Sequence, residues 1–264
     1  LTTAETVLLQ TVHPVLGQSH KNPHICAQFP FPSRPMSLTP DDYDVLTFDC
    51  YGTLVDWADG ISTALRPILR AHDVELDDEA LFRHYGEFER DVESGSYVKY
   101  KEVLGRVLRR FGDRFGFTPT NVETERFVGS VRNWPLFPDT NASLRRLSAS
   151  FRLAVISNVD DDLFHDTARH LSVDFDDVIT SERVRAYKPA LDPFETAFTR
   201  LGVPPNRLLH VAQSVYHDVN PAGRLGIDCV RVRRYDDRFD PPAPQTDPVH
   251  TVPDLTTLAD GLLD

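Results

Sequence analysis

The chain of 264 residues is short of lysine, cysteine and methionine. Its lysines are Lys21, Lys99, Lys101 and Lys188, against a large excess of arginine, and its net charge is −12. So acidic a balance lacks the positive surface that a nucleic acid partner requires. Three cysteines, Cys26, Cys50 and Cys229, are odd in number and widely spaced. They exclude a disulfide framework or a zinc site and point to reduced thiols in a cytoplasm. No apolar run is long enough to span a bilayer, and the first residues show no basic-then-apolar leader pattern. The expectation is a cytoplasmic globular protein with a small-molecule partner, no nucleic acid and no membrane. An acidic surface also means that an anionic substrate has to be drawn in by local positive groups.

What the sequence does have is the stretch from Val45 to Asp56. Val45 to Phe48 is apolar and β-prone, and reads as a buried strand. It ends on Asp49, and Gly52 and Thr53 follow in what reads as a tight turn. In an open α/β sheet, chemistry sits beyond the carboxyl ends of the strands. An aspartate there can be a nucleophile or a metal ligand; on its own it can equally be a turn residue.

Residues 1–40 read as an N-terminal extension, poorly ordered and without catalytic role, with Met36 in the position of a natural start. Residues 41–56 and 134–264 read as the core domain, and 57–133 as an all-helical cap inserted after the first strand. Within the cap, helices are expected from Gly60 to His72, from an opening at Asp77-Asp78-Glu79, from Tyr97 to Phe111 and from Pro119 to about Val131. Trp134 to Asp139 is the return linker, where two prolines break the helix. Strand patterns then recur at 153–156, 178–180, 208–212 and 229–233, with helices between them and a closing helix at 255–263. This alternation predicts a doubly wound parallel sheet covered on both faces.

Each of the first four strands is followed by polar groups: Asp49 and Thr53, then Ser157 and Asn158, then Lys188, then Ser214 and Asp218. Four such groups in this order form one cluster at one rim of the sheet. Lys188 is a compact cation able to hold Asp49 ionised and to offset an anionic substrate. Thr53, Ser157 and Asn158 offer neutral donors, although Ser157 or Asn158 can also cap the following helix. Asp218 either orients a water or caps the helix near Asn220.

The string Asp49-x-Tyr51-Gly52-Thr53-Leu54 resembles the first motif of the haloacid dehalogenase superfamily. Leu153 to Asn158 is similar to its second motif, Tyr187-Lys188-Pro189 to its third, and Gln213 to Asp218 to its fourth. In the superfamily's phosphatases a second Asp, the general acid, stands two positions after the nucleophile; Tyr51 stands there here, as in the L-2-haloacid dehalogenase branch. A phenol is a poor proton donor at neutral pH, and a halide leaving group needs no proton. The resemblance thus implies a core resembling the Rossmann fold with a helical cap, and a hydrolase that converts a short L-2-halo acid to a 2-hydroxy acid through a covalent ester on Asp49. It implies Asp49, Lys188, Asp218 and Thr53 as catalytic residues, with Ser157, Asn158, Tyr51 and Arg83 binding the substrate and Arg83 receiving the halide. It further implies no cofactor and a homodimer. Three positions depart from the dehalogenase pattern: Gln213 and Val215 in the fourth motif, and Phe194 in place of a tyrosine. Gln213 also stands where the phosphatases place a magnesium-binding Asp, and an amide weakens such a site. The alternatives are a Mg²⁺-dependent phosphatase for small phosphate esters and a non-catalytic binding protein on the same fold.

Overall fold

The structure is a computed structural model that describes residues 38–235 and 244–263. Most of the expected extension therefore lies outside the described residues. Its last part does not behave as an extension, because Leu38 is buried against the sheet.

In chain order, β1 (Val45–Phe48) leads into four helices: α1 (Trp57–Ala71), α2 (Asp78–Glu93), α3 (Tyr100–Phe115) and α4 (Asn121–Gly129). After a 3₁₀ turn at Ser130–Asn133 come α5 (Thr140–Leu147), β2 (Arg152–Ser157), α6 (Asp161–Ala168), β3 (Asp177–Thr180), α7 (Ser181–Val184) and α8 (Asp192–Leu201). The chain ends with β4 (Leu208–Ala212), α9 (Asn220–Arg224), β5 (Asp228–Val232), β6 (His250–Val252) and α10 (Leu255–Leu263). The strands form one sheet in the order β3-β2-β1-β4-β5-β6, every neighbouring pair parallel. The short β6 and α7 were not expected from the sequence. Three and four residues carry too little pattern to separate them from a loop.

Parallel strands must be covered on both faces, and these are. Leu144 and Leu147 of α5 and Leu255, Leu258 and Leu262 of α10 pack on one face. Phe194, Ala197 and Leu201 of α8 and Ala222 of α9 pack on the other. β1 lies at the centre, every side chain buried, with β2 on one side and β4 on the other. The chain moves outward from β1 to β2 and β3, then crosses back to β4. Asp49 thus sits at the topological switch point, where neighbouring connections diverge and leave a crevice.

The helices between β1 and β2 share an apolar cluster, including Leu81, Tyr85, Leu104, Phe111 and Phe127, that continues into the core through Cys50, Val155 and Leu163. Their starts are capped as the sequence suggests. Asp77 accepts from Ala80 N–H at 2.8 Å, and Thr120 and Glu123 form a reciprocal capping box. α3 begins three residues later than expected, because its cap comes from elsewhere. The buried Asp160 carboxylate accepts from Tyr100 N–H at 2.8 Å and from Lys101 N–H at 3.0 Å. Nearby, Lys99 pairs with Glu182, Lys101 with Asp162, and Tyr187 Oη donates to Val98 O at 2.8 Å. Helix α1 approaches Trp134 closely at Gly60, where a Cβ would lie 2.3 Å from Trp134 Cγ.

Candidate active site

The site is built where β1 ends. Gly52 has φ +107°, a conformation that glycine adopts without strain, and it turns the chain sharply after Asp49. That turn brings Thr53 back under Asp49, whose Oδ2 accepts from Thr53 Oγ1 at 2.8 Å. The same hydroxyl accepts from Gln213 N–H at 3.0 Å, so β1's turn is tied to the end of β4. Thr53 therefore orients the carboxylate and has no proton left for a substrate.

Lys188 enters from the loop after α7 and is buried. Its ammonium donates to Asp49 Oδ1 at 2.9 Å, Asp218 Oδ1 at 2.7 Å and Ile156 O at 2.8 Å. These three acceptors use its three protons. Asn158 fixes this loop: its Oδ1 accepts from Lys188 N–H at 2.8 Å and its Nδ2 donates to Lys188 O at 3.0 Å. Asn158 is thus a clip for the lysine backbone and not a helix cap. Ser157 does not cap either: its buried Oγ has no hydrogen-bond partner among the described residues and lines the cavity beside Asp49.

Asp218 lies in a widened helical turn, Val215–Val219, whose start is capped by Ser214 Oγ accepting from His217 N–H at 3.0 Å. Asp218 does not cap the helix that follows: its Oδ1 meets Lys188 and His210, and α9 has no side-chain cap. His210, on β4, lies 3.0 Å from Asp218 Oδ1 through Nε2 and 2.9 Å from Thr47 Oγ1 through Nδ1. An ionised Asp218 requires the Nε2–H tautomer, with Nδ1 accepting from the Thr47 hydroxyl. Thr47 and His210 are register partners on β1 and β4, which explains the contact. The other oxygen, Asp218 Oδ2, is buried without a hydrogen-bond partner among the described residues.

The electrostatics follow from burial and this sharing. Burial pushes Asp49 above the usual carboxylate value; Lys188 and Thr53 pull it back, and the like charge of Asp218 adds to the rise. Burial pushes Asp218 the same way, but Lys188 and His210 outweigh it and hold it at about 2. Burial alone would lower Lys188, yet the two carboxylates keep it raised and charged. Burial takes His217 down to about 4 against the opposing pull of Asp218, so it is neutral at pH 7.

The cavity above this cluster has a volume of about 240 Å³. The eight residues expected at the site divide unevenly. Asp49, Tyr51, Ser157, Asn158, Lys188 and Asp218 all line the cavity. Thr53 lies beneath it. Arg83 is exposed and does not line it; Arg90, two turns further along α2, does. Tyr51 presents its ring and not its hydroxyl, because Oη is 2.8 Å from Thr167 Oγ1, which itself donates to Leu163 O. Tyr51 is therefore the donor to Thr167, and burial raises its hydroxyl far above the range of a useful acid. Phe194 packs edge-on against the His210 ring at 5.1 Å and supports the site from below.

Three residues of α2 lining the cavity were not singled out from the sequence: Glu89, Arg90 and Glu93. The signal was available. Phe82, Tyr85, Glu89 and Glu93 recur at spacings of three and four, which places them on one face of a helix.

A buried carboxylate held by a lysine at the switch point of a parallel sheet, beneath a helical insertion, is the arrangement of an α/β hydrolase. The chain belongs to the haloacid dehalogenase-like hydrolases, whose description matches residues 43–226. It is 26% identical over 235 residues to (S)-2-haloacid dehalogenase 4A of Burkholderia cepacia, covering 83% of this chain and 94% of that protein. L-2-haloacid dehalogenase from Xanthobacter autotrophicus, solved with chloropropionic acid covalently bound, shares the fold. Its TM-score is 0.71 at 21% identity, over 83% of this chain and 97% of that one. The magnesium-bound HAD-hydrolase YfnB from Bacillus subtilis also shares it, with TM-score 0.68 at 18% identity, over 84% of this chain and 99% of that one.

Proposed function

We propose that this protein hydrolyses a short L-2-halo acid to the 2-hydroxy acid of inverted configuration, through an ester on Asp49. The observation that carries the reading is the Asp49 carboxylate itself. Lys188 and Thr53 fix it at 2.9 and 2.8 Å while it faces a small cavity, and the residue two positions on has its hydroxyl engaged elsewhere. A fixed carboxylate beside an ammonium is a poor base but an available nucleophile. Asp49 attacks C2 from the side opposite the halogen; the C–O bond forms as the C–halogen bond breaks, and halide leaves without a proton. Ser157 Oγ, with no other partner, donates to the substrate carboxylate. Water then attacks the carboxyl carbon of the ester. Asp218 Oδ2 orients that water; the acyl C–O bond breaks, one water proton passes to the departing 2-hydroxy oxygen and the other to solvent, and Asp49 is regenerated as a carboxylate. His210 and Asn158 act through others, positioning Asp218 and Lys188.

The cavity is smaller than the ~300–1,000 Å³ of drug-sized ligand sites, which suits a short acid. Residues 57–133 serve as the cap and 41–56 with 134–264 as the core. No cofactor takes part. At the floor of the cavity the carboxylates beside Lys188 are Asp49 and Asp218, both of which share that lysine, and Gln213 contributes only an amide. That donor set is poor in charge for a hard cation.

The test is a single turnover of L-2-chloropropionate in H₂¹⁸O with enzyme in excess. The label is expected in the Asp49 side chain and absent from the product. Label in the product and none in Asp49 would overturn the covalent reading and leave Asp49 as a general base at most.

A further inference from the structure

The α2 wall of the cavity is chemically unlike the floor. Helix α2 turns Tyr85, Glu89 and Glu93 toward the cavity at successive intervals of four residues, with Phe82 and Arg90 alongside. Glu89 Oε1 accepts from Tyr85 Oη at 3.0 Å and from Tyr100 Oη at 2.8 Å. These bonds hold the carboxylate in place without neutralising it. Glu93 is more isolated. Its side chain is only 8% exposed, and it hydrogen-bonds to no described residue. His217 Nε2 lies 3.9 Å from its Oε2, beyond hydrogen-bond reach, and is itself buried without a hydrogen-bond partner among the described residues. A carboxyl so little exposed, lining a cavity and without a hydrogen-bond partner among the described residues, is suited to a ligand.

The charge balance identifies the kind of ligand. The carboxyl groups lining the cavity are Asp49, Glu89, Glu93 and Asp218; the cations are Lys188 and Arg90, and Arg90 is exposed at the edge. Lys188 is already shared between the two aspartates. The glutamates thus face the cavity with no buried cation of their own. Around them stand the rings of Trp57, Phe82, Tyr85 and Tyr100. Carboxylates set among aromatic rings are the surroundings in which an ammonium group is bound, through ion pairing and the negative ring faces.

We propose that the α2 wall of this cavity binds a protonated amine or quaternary ammonium group, so that the substrate carries a cationic arm as well as the carbon attacked by Asp49. The inference deepens the functional reading above and rests on it only in taking this cavity as the substrate site. A simple halo acid would add a negative charge to a cavity with four carboxyl groups. A substrate with an ammonium arm supplies the missing counter-charge. Burial raises Glu93 well above the usual carboxyl value and raises Glu89 as well. A cation between them reverses that by favouring the ionised form.

The experiment compares two probes of similar shape, tetramethylammonium and tert-butyl alcohol, by calorimetric titration of the intact protein at pH 7.5. Tetramethylammonium should bind at least tenfold more tightly than the neutral alcohol. Glu93→Gln should remove that preference while leaving the affinity for the alcohol in place. Equal affinity for the two probes in the unmodified protein would overturn the proposal, as would a preference that survives Glu93→Gln. The unmodified comparison decides alone if the variant does not fold. The isotope experiment separates the two ideas. Ammonium preference with label in the product refutes only the covalent ester, and label on Asp49 without ammonium preference refutes only the cationic arm.

Discussion

Lys188→Met is the most informative perturbation of the site. The side chains are similar in length, so the change removes a charge with little change of volume. At an effective dielectric of about 20, an ammonium 2.9 Å from one carboxylate and 2.7 Å from another is attracted by each with about 6 kcal/mol. Burial of all three groups offsets much of this. What the variant exposes is the remainder: two like charges in a buried site with no cation between them. Removing one partner of a buried ion pair costs about 3–5 kcal/mol. For a chain of this size that is a fall in melting temperature of about 6–20 °C. The assay is urea unfolding of the two proteins at pH 7 and at pH 5. Without Lys188 the folded pair takes up a proton more readily than the unfolded chain, so its folded pKa lies above the unfolded one. Stability contributed by that proton is lost as pH rises through the raised value, and the deficit should therefore shrink from pH 7 to pH 5. A variant within about 1 kcal/mol of the parent at pH 7, or a deficit that grows on acidification, refutes the reasoning.

Other outcomes follow from the same geometry. The nucleophile must be ionised and burial raises Asp49, so kcat/KM should fall on the acid side at a pH above 3.8; a limb below that value contradicts the raised carboxyl. Arg90→Ala should change KM for an anionic substrate more than Arg83→Ala does, because only Arg90 lines the cavity; steady-state kinetics giving the reverse order would restore Arg83 to the site. EDTA should leave turnover unchanged, and activity that disappears with EDTA and returns with Mg²⁺ would favour the phosphatase reading.

The core was readable from sequence because its signals are redundant. β1, β4 and α8 begin and end where the apolar pattern does, and Gly226 closes the helical turn before β5 with φ +69°. The order of the polar strand ends was enough to gather Asp49, Ser157, Asn158, Lys188 and Asp218 around one cavity. What sequence could not supply was direction. Thr53, Asn158 and Tyr51 each look like a donor for a ligand, yet each spends its polar atoms on the protein. Arg83 and Arg90 are separated by two helical turns on nearly the same side of α2, so helical periodicity does not say which of them reaches the cavity. The α2 glutamates were passed over because charge on a helix usually marks the solvated side. The start of α3 was misplaced because Asp160, sixty positions further on, completes it.

That last contact has a consequence for traffic through the cavity. The first turn of α3 closes its hydrogen bonds only by resting on Asp160, so swinging this edge away leaves two amides and a carboxylate bare. Charge-assisted bonds contribute about 1.5–3 kcal/mol each, so the two together hold that edge shut by a factor of roughly 10²–10⁴. The mouth must lie elsewhere along the rim, where Arg90 and the 41% exposed Tyr216 border the cavity without such a clasp. Substrate and product are therefore expected to pass on the side of the cavity lined by Arg90 and Tyr216.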